Sequence, residues 1–427
     1  MIPRFLRSAF IGFEVLDVKE WLTEGRIEVR LGRARGYRKF CCHRCGKNLG
    51  AYRGKYPVKL EGMPVMGLKL EINLMRTKGH CKHCNKARSE RLEFISPESP
   101  HLTQDYAWWL GRLTEIAPVS RVAELVGLDP MTVWRQDFAR LKRLLQHYKI
   151  PPLTHIAVDE VYARSKPRFD GEARTERFFT VITDLKTRRV VWVSESCAKK
   201  GLDQFFTLIG SEACAKIESI AMDQHADYFA SAAEFCPNAI VVFDRFHIVQ
   251  NFEEAVNDTR KELFEFLRAS DPTIAELARG QNRFVFLEKA SRRTKQDQSL
   301  IEEVSKRNKK FLYLELIKER FIDMFNARSA EDARVVFDEV GDWIWQANLR
   351  PLMEWYRRLE KNWVYVHNYF YSRISTGISE AFNNVIKTVK KRAYGFRNME
   401  YFRLKIMQVS GYLNSRFISF NDSIGMH

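Results

Sequence analysis

No run in this 427-residue sequence approaches the roughly 18–20 consecutive apolar residues that a membrane-spanning helix requires. That excludes a helical membrane protein, and no membrane partner is expected. The opening Met1-Ile2-Pro3-Arg4-Phe5-Leu6-Arg7 lacks the apolar core and cleavage site of a secretory signal, so a cytoplasmic protein is expected. Internal repeats and low-complexity tracts are also missing. Acidic residues are in deficit: 53 Asp and Glu face 70 Lys and Arg, a formal charge of +17 that favours a polyanionic partner. Cysteines are few, eight in all. In a reducing compartment they read as metal ligands or buried thiols rather than disulfides.

What remains is ample for folding. Hydrophobic residues make up 45% and aromatics 13%, so disorder is not the default. The length predicts two to four domains. Short alternating runs before about residue 95, such as Arg26–Leu31 and Leu68–Ile72, predict half-buried strands. From Thr103 to about Tyr148 the period becomes helical. Val119–Leu128 reads as a short helix closed by Gly127, and Asp129 with Pro130 opens a second one. Ile150-Pro151-Pro152 marks a domain boundary. Residues 155–250 alternate strand-like and helical runs, an α/β signature, with a hairpin through Asp184–Arg189. From about Phe252 to Tyr369 the chain is charged and helix-periodic.

Two CxxC pairs, Cys42/Cys45 and Cys81/Cys84, can each place two thiolates on one tetrahedral zinc. The gap between them exceeds the usual zinc-ribbon spacing, but its strand-like sequence could return one knuckle to the other. Cys41, His43, His80 and His83 could substitute for a ligand, and two unrelated buried pairs are the alternative. Cys197, Cys214 and Cys236 read as core. The second helix of the 119–145 segment carries Thr132, Arg135, Gln136, Arg140, Lys142 and Arg143, and Arg121 precedes it. An Arg-rich second helix after a glycine turn fits entry into a DNA major groove, although two ordinary packed helices would look similar.

Several apolar runs end on aspartate: Ile156–Asp159, Ile220–Asp223, Val241–Asp244 and the strand before Asp184. Buried-strand carboxylates are costly unless paired, and hard cations such as magnesium accept them as ligands. Asp184 opens the hairpin and is discounted. Asp159 and Asp223 end strands where α/β domains place ligands, yet either alone could be a loop or capping residue. Asp244 could be a ligand, a cap or a structural partner for His247. Downstream, a helix from Ser379 would align Ile378, Phe382, Val385 and Val389 as an apolar stripe. A second stripe would hold Glu380, Asn384, Lys387 and Lys391. Residues 377–405 hold seven Lys/Arg against two Glu, which suits phosphate contact. Trp343, Trp345, Trp355 and Trp363 read as core anchors rather than base-stacking residues.

These pieces together resemble the DDE transposases of bacterial insertion sequences, specifically the ISL3 family. The resemblance rests on Ala157-Val158-Asp159-Glu160, Met222-Asp223, Asp244-Arg245-Phe246-His247, Ser379–Asn384 and Lys390–Phe396. It implies an α/β ribonuclease H-like catalytic domain with an α-helical insertion, plus an N-terminal zinc-binding β module and a helix-turn-helix. Asp159, Asp223 and Glu380 would bind magnesium (or manganese), with Asp244 and His247 as a supporting (Cys/Asp)-x-x-His element. The 157-residue interval from Asp223 to Glu380 is longer than a compact core needs, which leaves room for the insertion. The expected domains are 1–98 (zinc module), 99–150 (helix-turn-helix), 151–251 with 370–427 (catalytic) and 252–369 (insertion). The implied activity is binding of insertion-sequence ends, metal-dependent strand cleavage and strand transfer. The implied partners are double-stranded DNA, both terminal inverted repeats and target, with a homodimer or larger assembly on it. Arg121, Thr132, Arg135, Lys142 and Arg143 would contact the ends, and Lys387, Lys390, Lys391 and Arg392 would hold phosphates. A catalytically inactive DNA-binding regulator and a structure-specific nuclease are the competing readings.

Overall fold

The computed structural model describes residues 10–163, 177–194, 198–270, 272, 282, 284–372, 377–393 and 395–413; side chains at 198, 372 and 377–380 lie outside that description. The chain divides into two units, Met1–Lys149 with Thr388–His427, and Ile150–Lys387.

The first unit begins with strands β1 (Phe13–Trp21), β2 (Arg26–Arg33), β3 (Tyr52–Val65), β4 (Leu68–Cys81) and β5 (Lys86–Ser89). Their order is β1-β2-β4-β3, with β5 on the far part of β4. β3 and β4 form a hairpin closed by Met66 and Gly67, both at positive φ (52° and 84°). That pair of left-handed residues matches the twist of the flanking strands. Alternation along β4 buries Leu70, Ile72 and Leu74 on one face with Val29, Leu31 and Leu60.

Helices α1 (Gln104–Ile116), α2 (Val119–Val126) and α3 (Pro130–His147) follow. Gly127 closes α2 at φ 67°, and the Asp129 carboxylate accepts the Thr132 N–H at 2.9 Å to cap α3. The start and stop signals in the sequence therefore act as expected.

The second unit carries β6 (His155–Tyr162), β7 (Phe178–Asp184), β8 (Arg189–Val193), α4 (Ala198–Ile209), α5 (Ser211–Cys214), β9 (Ser219–Met222), α6 (Ala226–Phe235) and β10 (Ile240–Phe243). The sheet order is β10-β9-β6-β7-β8. β6, β7 and β8 run antiparallel, while β9 and β10 run parallel to β6. Asp184 accepts from Lys186 N and Thr187 N in the β7–β8 turn, its expected local role.

A helical array follows: α7 (Arg245–Ser270), α8 (Lys295–Arg307), α9 (Lys309–Met324), α10 (Ala330–Gln346), α11 (Arg350–Lys361) and α12 (Trp363–Ser372). Its core runs from Val242 and Phe243 of β10 through Phe252, Phe321, Phe337 and Trp355 to Phe370. The boundaries drawn at 252 and 369 from sequence fall inside α7 and α12. Of the four tryptophans there, Trp355 is buried, and Trp343 and Trp363 pack partly buried against the core. Trp345 is 42% exposed beneath the Arg357 guanidinium.

Helix α13 (Gly377–Arg392) crosses the division between the units, which falls between Lys387 and Thr388. Its expected apolar stripe is corrected: Ile386 is the buried residue, and Val385 is 39% exposed. Adjacent apolar residues 100° apart on a helix let either complete a three-four spacing. The last helix, α14 (Met399–Ser410), belongs to the first unit, so the segment 370–427 does not stay together as one piece. A buried polar cluster fixes α14 there. Tyr401 Oη donates to Asp137 Oδ2 at 2.8 Å, and Lys405 Nζ lies 3.3 Å from the same oxygen. Arg140 Nη2 reaches Asp137 Oδ1 at 2.9 Å. No helix among the described residues is long and apolar enough to cross a membrane.

Candidate active site and metal centre

Strand register alone assembles the first part of the site. Val158 pairs with Met222, and Met222 with Phe243, across three parallel strands. The next residue in each is an aspartate: Asp159, Asp223 and Asp244. Neighbouring strands stand about 4.8 Å apart, so the three aspartates follow one another in a row where the parallel ladder ends. Asp159 Oδ1 accepts the Glu160 N–H at 2.7 Å, and Asp223 Oδ1 accepts Gln224 N–H at 2.6 Å. Asp244 Oδ1 accepts Phe246 N–H at 2.8 Å at the start of α7.

One turn into α7, the His247 imidazole stands within this row. Nε2 lies 3.8 Å from Asp159 and from Asp244, and Nδ1 lies 3.9 Å from Asp223. Burial works against the imidazolium, but the adjoining Asp159 carboxylate and the charges of Asp223 and Asp244 outweigh it. The imidazole is pushed up to about 9. Asp244, left open in the sequence, is thus both a helix-start acceptor and a His247 neighbour.

Asn383 of α13 donates from Nδ2 to Asp159 Oδ2 at 2.7 Å. The expected polar stripe placed Asn384 beside Glu380; in the structure Asn384 is exposed and Asn383 reaches the carboxylate. The signal that could have found it was the tandem Asn383-Asn384 in a motif already singled out. Glu380 lies in α13 one turn before Asn383, and its side chain is outside the described residues.

The second cluster is thiolate-rich. The Sγ atoms of Cys42, Cys45, Cys81 and Cys84 all lie within 4.8 Å of one another, the only group that close among the described residues. The β4–β5 turn brings Cys81 and Cys84 to the Cys42–Cys45 knuckle; Cys45 and Cys81 Sγ are 3.5 Å apart. Four thiolates at about 2.3 Å from one zinc would stand about 3.8 Å apart, so the set fits. Burial raises the Cys42 thiol, but backbone N–H groups of Cys45 and Arg44 outweigh it and draw it down. Hydrogen bonding to Cys45 and burial push Cys84 up. Cys214 and Cys236 are buried as expected, while Cys197 lies outside the described residues.

The expected DNA-contacting residues divide. Arg135, Lys142, Lys387, Lys391 and Arg392 are exposed. Lys142 lies 3.1 Å from Glu400 and over the Phe138 ring. Exposed Arg121 pairs with Glu124 at 2.8 Å. Thr132 is engaged with the Asp129 cap, and Lys390 is half-buried, with its amine lowered by burial. Arg143 is tied to Glu98 at 2.9 Å, while Gln136 and Arg140 are buried. Most of the basic or polar face expected on α3 is thus spent holding the fold.

Residues 156–406 match the DDE transposase family of the ISL3 type, described as Transposase. The chain is 24% identical over 412 residues to the transposase for insertion sequence element IS1001 of Bordetella parapertussis, spanning 95% of this chain and 98% of that protein. It is 24% identical over 306 residues to the transposase for insertion sequence element IS1557 of Mycobacterium tuberculosis, spanning 67% of this chain and 65% of that protein.

Proposed function

The chain belongs to the ISL3 family of DDE transposases, and we propose that it cuts the ends of an insertion sequence and joins them to target DNA. Asp159, Asp223 and Glu380 are the proposed metal-binding carboxylates. The single observation that carries this is the Asn383–Asp159 hydrogen bond, which docks the helix bearing Glu380 against the aspartate row. The five-stranded sheet, three strands antiparallel and two parallel, supports reading this part as ribonuclease H-like. Magnesium or manganese bound there would activate water, then a 3′-hydroxyl, and stabilise the leaving oxygen. The chain's own contribution is to bring the carboxylates together and align them. His247 offsets their mutual repulsion and can carry a proton among them.

Helices α2 and α3 are proposed as the helix-turn-helix, and the Cys42–Cys45–Cys81–Cys84 cluster as the zinc centre of a module that helps recognise the terminal inverted repeats. Arg135, Lys142, Lys387, Lys391 and Arg392 would meet the DNA backbone, consistent with the net charge of +17. Two ends must be held together, so the active form on DNA is a dimer or larger. Asp159→Asn preserves shape and removes the charge. It is expected to abolish nicking and joining of labelled end DNA while leaving gel-shift affinity within about twofold; undiminished nicking would refute the assignment. Nicking without joining would instead identify a nuclease.

A further inference from the structure

We infer that Asn383 is a positioning residue that fixes the Asp159 carboxylate for cation binding, which rests on the reading of Asp159 as a metal ligand. Each carboxylate oxygen offers two lone pairs. One on Oδ1 is taken by the Glu160 N–H at 2.7 Å, and one on Oδ2 by the Asn383 amide at 2.7 Å. Rotation of the carboxylate is thereby arrested, and among the described residues no further hydrogen bond occupies the second lone pair of either oxygen. The Glu160 donor is Asp159's own neighbour in β6, whereas the Asn383 donor comes from α13, so the second contact ties the carboxylate's orientation to the helix.

The chemistry of the amide suits this task. A lysine or arginine in its place would compete with a cation for the same carboxylate. The neutral amide donates a hydrogen bond, adds no charge and does not titrate in the working range. Asn383 is half-buried, whereas neighbouring Asn384 is exposed, so the contact belongs to one face of α13. Groups that orient metal ligands in this way are worth about 10–100-fold in metal affinity.

The test uses the full-length, zinc-loaded chain and Mn2+ alone, with free Mn2+ followed by electron paramagnetic resonance. Asn383→Leu keeps the branched shape and heavy-atom count and removes the donor; Asn383→Ser is too short to reach Asp159 and guards against a packing defect from the bulkier leucine. Both are expected to weaken Mn2+ binding about 10–100-fold. In nicking assays the Mn2+ requirement should rise by the same factor, while the rate at saturating Mn2+ changes much less. A residue that acts only by docking α13 would weaken Mn2+ binding through Glu380, so its effect would vanish in a Glu380→Gln background, whereas the loss of Asp159 positioning persists there. Wild-type Mn2+ affinity in both variants, with affinity lost in Asp159→Asn, overturns the role of Asn383 alone. Wild-type affinity in Asp159→Asn overturns the metal-ligand reading beneath it as well.

Discussion

Substituting Asp137 and Lys405 separately should have unequal consequences, and the inequality follows from the charges buried in the first unit. Asp137, Arg140, Tyr401 and Lys405 are each at most 5% exposed. Burial alone would raise the Asp137 carboxyl, but Lys405 and Arg140 hold it below its usual range. Burial lowers the Lys405 amine, and the nearby Arg140 charge adds to this against the pull of Asp137. Asp137→Asn takes from both cations the carboxylate they share, leaving Lys405 only the weaker charge of Glu115, and breaking a buried pair in this way costs about 3–5 kcal/mol. Lys405→Met leaves the Asp137–Arg140 pair neutral and intact. It strands the Thr114 carbonyl, which accepts from Nζ at 2.6 Å, and releases the Gln408 amide oxygen, at about 1 kcal/mol for each lost bond. The expected loss is about 1–3 kcal/mol. The double variant should be less destabilised than the sum of the two by at least about 1 kcal/mol. Amide hydrogen exchange in α1 and α3 reads the opening free energy of this unit without assuming that the whole chain unfolds at once. Equal losses from the two single variants, or strict additivity, would refute the account of α14 as held by one shared carboxylate.

Zinc removal should unfold the strand module first: one zinc per chain by elemental analysis is expected, and Cys81→Ser should abolish it and expose β4 and β5 to proteolysis. His247 gives a pH-dependent contribution. Its raised pKa makes the interaction with the aspartates fully stabilising below about 6.5 and progressively lost as pH rises through about 9. His247→Gln, melted without added Mg2+, should therefore differ from the parent protein more at pH 6 than at pH 9.5; the reverse order would contradict the geometry. Arg135→Ala should weaken end binding in gel shifts and reduce the salt dependence by about one phosphate. Arg143→Ala, which frees Glu98, should instead lower thermal stability and leave the salt slope unchanged.

Much of the candidate site was legible because its three aspartates directly follow strand residues that pair in register. An apolar run ending on aspartate carries that information locally, and parallel pairing of three such runs lines the acids up without further instruction. Local chemistry was also sufficient at Gly127, Asp129 and the CxxC knuckles, where one residue type satisfies one backbone or metal requirement. Legibility ended where a residue's partner lies far along the chain. Tyr401 meets Asp137 across 264 positions, and no periodicity in α14 reports which helix it covers. The same limit explains the basic residues of α3. Arg135 and Arg143 look equivalent in sequence, but Glu98 lies outside the helix and claims only one of them. For α13, Ile386 rather than Val385 is buried and Asn383 rather than Asn384 reaches Asp159; neighbours on a helix stand 100° apart, and nothing local chooses between them. Composition supplies the side chains such a helix can offer; the sheet it meets decides which are used.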